Sequence, residues 1–98
     1  MSYKLLILPS ALSDIQVAIS YYNKQQEGLG KRFHQTIKLA FDTLKTNPFY
    51  QIKYDTIRCY YAKPFPYLIH FKVEEQAKTI TIIAIIHTSR NPNDWPVQ

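Results

Sequence analysis

The residues best suited to chemistry in this sequence are His87, Thr88, Ser89 and Arg90, which follow directly on Thr79 to Ile86, a segment with five isoleucines in eight residues. An imidazole titrates near neutrality and can move a proton. A guanidinium can hold a phosphate or a carboxylate through its planar fork of donors. Asn91-Pro92 then breaks the pattern and Trp95 follows, a side chain with a large apolar body and one N–H donor. Arg58, Tyr60 and His70 are further candidates, on segments whose alternation marks them as strands, and Lys53 is another, in the less periodic stretch before them. Ser89 has no His-Asp partnering, so a nucleophile reading carries little weight. Cys59 is the single cysteine; it alternates with core positions, cannot form an internal disulfide, and sits in no zinc-ligand spacing. No metal or cofactor is expected.

Something must hold these groups in place. The isoleucine segment is the best strand candidate, because β-branched side chains pack well on a pleated surface. It should be central, with Ile80, Ile82, Ala84 and Ile86 on one face and Ile83 and Ile85 on the other. A buried strand thus delivers a polar cluster to an edge. Tyr3 to Leu8, ended by Pro9, reads as a first strand. Leu12, Ile15, Ala18, Ile19 and Tyr22 recur at helical spacing, with Ser10 as a cap and Asp14 near the positive end, over Ser10 to about Gln26. Gly28 and Gly30 permit a tight connection with positive φ. A second stripe, Leu29, Phe33, Ile37, Ala40, Phe41 and Leu44, runs to about Thr46 and stops at Asn47-Pro48. The two helices should form an antiparallel hairpin. Thr56 to Ala62 and Tyr67 to Val73 alternate as strands on either side of the Lys63-Pro64-Phe65-Pro66 turn, and Glu74 to Lys78 is a hairpin loop.

The expected fold class is therefore α+β, in the order β-α-α-β-β-β, with an antiparallel-rich sheet and the helix hairpin on one face. If the helices cover one face, Arg58, Tyr60, His70 and Lys72 share the open one, with His70 facing outward. Lys45 to Phe65 interleaves Lys45, Lys53, Arg58 and Lys63 with Phe49, Tyr50, Tyr54, Tyr60 and Tyr61. Cations with flat rings suit single-stranded nucleic acid, although tyrosines at the margin of a small core are the commoner explanation.

Ninety-eight residues make one domain, residues 1–98. Nearly half are hydrophobic and two are glycine, so the chain is compact and not disordered. No apolar run approaches the roughly 20 residues needed to span a bilayer, and the N-terminus lacks a signal-peptide core, so a cytoplasmic protein is expected. The net charge of +5 is spread over both halves of the chain. It favours an acidic partner without choosing between nucleic acid, protein and surface.

Three motifs in their order resemble the RelE/ParE superfamily of bacterial type II toxins. They are AxxDIxxAIxYYxxQxxGLGxRF over Ala11 to Phe33, FPYxIxF within Pro64 to Phe71, and HTSRNPxxW from His87 to Trp95. The resemblance covers nearly the whole chain and implies the β-α-α-β-β-β fold, a cognate acidic antitoxin, and growth arrest when the toxin is free. RelE-like members cut messenger RNA on the ribosome; ParE-like members block DNA gyrase. RelE-like cleavage is metal-free and uses Lys, Arg and a terminal Tyr. Here the arginine after the strand tyrosine is Leu68, the third position of the terminal motif is Ser89 with Arg90 one place later, and the terminal Tyr is Trp95. An indole N–H cannot act as a general acid or base near neutral pH. The resemblance therefore favours a ParE-like protein acting by contact, with Arg58, Tyr60, Arg90 and Trp95 as target-binding residues. The rival is a ribosome-dependent endoribonuclease using Lys53, Arg58, His87 and Arg90; a third reading is a family member that binds antitoxin without toxicity.

Overall fold

The computed structural model describes residues 2–96. Its elements follow the order β1 (Lys4–Ile7), α1 (Pro9–Gln25), α2 (Leu29–Thr46), β2 (Ile52–Tyr54), β3 (Ile57–Tyr61), β4 (Tyr67–Glu74) and β5 (Thr79–His87), then a 3-10 turn at Pro92–Asp94. The sheet order is β1-β5-β4-β3-β2. Only β1 and β5 pair in parallel; the other pairs are antiparallel. The expected α+β order holds with one addition. β2 is a three-residue edge strand with an irregular register against β3, too short to leave a periodic signal.

The helix hairpin packs through Ala11, Ile15, Ala18, Phe33, Ile37, Ala40, Phe41 and Leu44 onto Ile69, Phe71, Ile80, Ile82 and Ile85 of the sheet. Gly28 takes φ +85° in the connection and leads into α2. Gly30 does not share that conformation, contrary to expectation. It is helical, and a Cβ there would lie 2.5 Å from the Ile19 carbonyl oxygen, so glycine is required by the close approach of the two helices. The Asn23 side chain accepts from the Gly30 N–H at 2.9 Å across that contact.

The two faces of β5 depart from simple alternation. His70 pairs with Ala84 and the next residue, Phe71, with Ile82, so Ile83 is an extra residue in the ladder. A bulge of this kind reverses which residues face which way beyond it. Ile80 and Ile82 therefore join Ile85 under the helices, whereas Ile83, Ala84 and Ile86 lie in a second cluster with Ile57, Tyr54 and Trp95. The expected grouping of Ile80 and Ile82 with Ala84 and Ile86 is corrected accordingly.

Beyond Ile82, β5 outruns its neighbour β1, and α1 supplies the missing partners. The Ser10 hydroxyl donates to the Ile83 carbonyl at 2.9 Å, and the Ile85 N–H donates to the Asp14 carboxylate at 3.0 Å. Ser10 is thus not the cap of α1; the N-cap position is Leu8, with Pro9 opening the helix. Asp14→Ala should leave the Ile85 N–H without its acceptor and cost about 1–2 kcal/mol, read as a lower urea midpoint at unchanged slope. Asp14→Asn keeps an acceptor oxygen and should recover most of that loss.

Candidate functional site

In an antiparallel pair, residues directly opposite share a face. Ile57 pairs with Lys72, Cys59 with His70 and Tyr61 with Leu68, while Arg58 pairs with Phe71 and Tyr60 with Ile69. Phe71 and Ile69 lie under the helices. Arg58 and Tyr60 are therefore on the helix side, not beside His70 and Lys72 as expected. Alternation alone aligns the apolar residues of β3 with those of β4, but the register offsets them by one.

The face away from the helices carries a groove of about 420 Å³ lined by Lys53, Cys59, Tyr61, Leu68 and Trp95. Lys53 comes from the edge strand and Trp95 from the turn after β5. The Trp95 ring sits 4.8 Å from the His70 ring and 5.3 Å from that of Tyr54, centroid to centroid. Together these three rings close the second cluster. Trp95 packs at the edge of that cluster.

His70 was expected to face outward; it is 0% exposed. Its Nδ1 lies 2.9 Å from the Tyr54 hydroxyl and 3.6 Å from the Cys59 sulfur. Burial lowers its pKa to about 4, so the imidazole is neutral at physiological pH. With Tyr54 as the donor to Nδ1, the ring proton sits on Nε2, which is buried without a partner, as is the Trp95 Nε1. Burial also pushes the Tyr54 hydroxyl up to about 12 and the Cys59 thiol up to about 11, the latter against a smaller opposing pull from Lys53. Cys59 should consequently react with Ellman's reagent at pH 8 about a hundredfold more slowly in the native protein than in the urea-unfolded chain. Equal rates would show that the groove floor is open.

The other candidates lie elsewhere. His87 is exposed at the end of β5, and its Nδ1 accepts from the Ser89 N–H at 3.1 Å, with the Ser89 hydroxyl at 2.8 Å. That closes a local turn and occupies the nitrogen lone pair a general base would need. Arg90 is exposed and lines a recess of about 250 Å³ with Ser10, Asp14 and Asp94. Arg58 donates to the Tyr50 carbonyl at 2.7 Å and lies over the Phe49 ring at 5.4 Å. Tyr67 pairs with His87 and its carbonyl accepts from Ala62. Four residue steps from Ala62 back to Arg58, at about 3.3 Å each, separate the two candidates by roughly 13 Å along the strands alone. Lys53, Arg58, His87 and Arg90 are not gathered at one place. Among the described residues no group of three or more His, Cys, Asp or Glu could hold a metal ion.

The Tyr54–His70–Trp95 contact went unread in the sequence. Its signal was the alternation of Ile57, Cys59 and Tyr61, once set in register against Leu68, His70 and Lys72.

A mixed five-stranded sheet with a helix hairpin on one face and an aromatic-rimmed groove on the other defines a small basic α+β protein. The family model described as "ParE toxin of type II toxin-antitoxin system, parDE" matches residues 5–92. The chain belongs to that family. Among solved structures it is similar to a chain of the "Chromosomal ParDE TA system from P. aeruginosa", with a TM-score of 0.75 and 18% identity over 88% of this chain and 96% of that one. That likeness shows the fold. No match was found among curated proteins. No helix among the described residues is long and apolar enough to cross a membrane.

Proposed function

We propose that this ParE-family toxin arrests growth by binding its target, with DNA gyrase the target the family implies, and that it works without a catalytic step of its own. The dispersal of the candidate ribonuclease residues carries this reading. Cleavage through a 2′-hydroxyl needs a proton acceptor, a proton donor and cationic stabilisation converging on one phosphate. Here Lys53 is at the groove, Arg58 is behind the sheet, His87 is tied into a turn and Arg90 is in a separate recess. His70, the imidazole beneath the groove, is sealed and neutral.

Of the target-binding residues expected from the sequence, Trp95 borders the groove, Arg90 lies beyond the bulge on β5, and Arg58 and Tyr60 face the other side. The target contact is therefore centred on the groove and the adjoining Arg90 corner. The cognate antitoxin is an acidic chain that folds on contact, laid over the groove and over the exposed Val17, Tyr21 and Leu39 of the hairpin. Because Arg58 and Arg90 lie on different faces, masking both requires the antitoxin to wrap around the sheet edge.

Inducible expression in a bacterial host, with total RNA and plasmid topology taken from one culture, tests the reading. Growth arrest with intact RNA and relaxed or broken DNA is expected, and Trp95→Ala or Arg90→Ala should weaken it. Codon-phased cuts in translated messages would overturn contact inhibition in favour of the ribosomal nuclease. Unimpaired growth without antitoxin would mean a non-toxic family member.

A further inference from the structure

Arg58 and Tyr60, which the groove leaves unused, belong to a continuous run of rings and cations on the helix side of the sheet. Lys78 Nζ stands 5.5 Å from the centre of the Tyr3 ring. Tyr3 meets Phe49 edge to face at 5.9 Å. Arg58 lies over Phe49, and its guanidinium donates to the Tyr50 carbonyl through Nη1. Tyr50 then meets Tyr60 edge to face at 5.1 Å. Beyond Tyr60 a cleft of about 270 Å³ opens between α2 and the end of β3, with Lys63 on its wall.

This run has the chemistry of a single-strand track. Lys78, Arg58 and Lys63 alternate with flat side chains, so charge and stacking surface recur together. Phe49 is 50% exposed at the middle of the run, where a core ring would be covered. Arg58 uses Nη1 within the protein, while its Nε is buried with no partner. Its outer donors remain suited to an anion. The chain's net charge of +5 supplies the long-range attraction. A marginal tyrosine cluster that merely finishes the core would not need a half-exposed Phe under an arginine.

From this geometry we infer that the Lys78–Tyr3–Phe49–Arg58–Tyr60 run binds single-stranded nucleic acid, with a base stacked at Phe49 and phosphates met by Lys78 and Arg58. The site is separate from the groove and does not depend on what the groove contacts. The rings read no sequence and do not distinguish ribose from deoxyribose, so weak sequence preference follows.

Fluorescence anisotropy with labelled oligothymidylate, oligouridylate and a duplex of mixed sequence, at low and physiological salt, tests it on the purified full chain. Either single strand should bind more tightly than the duplex, and the two to a similar extent. Phe49→Ala should weaken single-strand binding about tenfold, and Phe49→Trp should restore it. Lys78→Ala should lower the salt slope by about one, whereas Lys24→Ala, the same charge change on α1, should leave the single-strand preference intact. Thermal melts of each variant separate lost binding from lost folding. The inference is overturned by equal binding of duplex and single strand, by a folded Phe49→Ala that binds as well as the parent, or by polyglutamate competing as effectively as an unlabelled oligonucleotide.

Discussion

Phe33→Ala should remove about 3–5 kcal/mol of stability, the loss expected for truncating a fully buried aromatic side chain. Phe33 is 0% exposed and lies in the first turns of α2. Its ring is 5.5 Å from Tyr22 on α1, 5.2 Å from Phe65 in the β3–β4 turn and 5.2 Å from Tyr67 at the start of β4. Tyr22 and Phe65 also meet directly at 5.0 Å. One ring therefore joins both helices to the turn and to the sheet. Edge-to-face pairs contribute about 0.5–1.5 kcal/mol beyond area burial, so the loss should fall near the upper end. Against a total of about 5–15 kcal/mol for a domain, the variant would be marginal at growth temperature. Guanidinium unfolding followed by circular dichroism checks this, with Phe33→Leu expected to recover a substantial part. A loss below about 1 kcal/mol would mean that the neighbouring rings collapse into the space, which the close Gly30 helix crossing argues against.

The helices were the most legible part of this chain. The stripe from Leu29 to Leu44 matches the buried side of α2 closely. The buried side of α1 starts one position before the apolar stripe does, for Ala11 is buried and Leu12 is 48% exposed. Alanine gives a weak apolar signal even where close packing selects it. The strands were legible as strands, but their facing was not. Both faces of β5 are apolar, so nothing in the alternation marks the extra residue at Ile83, and everything beyond it turns over. On β3 and β4 the register error had the larger consequence. It placed Arg58 and Tyr60 on an open face with His70, whereas cross-strand pairing sends Arg58 and Tyr60 under the hairpin side and buries His70 with Cys59.

The site was legible by residue type more than by arrangement. Trp95, Arg58 and Lys53 could be singled out because each is chemically conspicuous on a strand or after one. Their separation is set by β2, by the one-residue offset between β3 and β4, and by the return of the chain after β5. None of these has a local signature. The same geometry connects the fold to its use: residues that a linear reading would collect into one active centre are divided between two faces, one groove and one edge.

Lowering the pH from 6.5 to 4 should destabilise the protein by about 2–3 kcal/mol through His70 alone. The imidazole is fully buried, and burial lowers its pKa to about 4 from the ordinary 6.5. Between those values the unfolded chain takes up a proton that the folded chain refuses. His70 therefore supports the native state fully above pH 6.5, and that support is lost as the pH falls through the folded value near 4. Its neighbours do not compete in this window, because Tyr54 and Cys59 are pushed up to about 12 and about 11 and stay neutral throughout. Carboxylates titrate at the lower end, so the test is a difference. His70→Leu is close in volume, removes the titration, and leaves the half-buried Tyr54 hydroxyl free to turn to water. Urea midpoints of parent and variant should diverge as the pH drops, the variant losing less, and fluorescence of Trp95 should report the parent's loss first because its ring rests on His70. Parallel pH profiles for the two proteins would mean that His70 can be protonated in place, and that the Tyr54–His70–Trp95 cluster admits charge without opening.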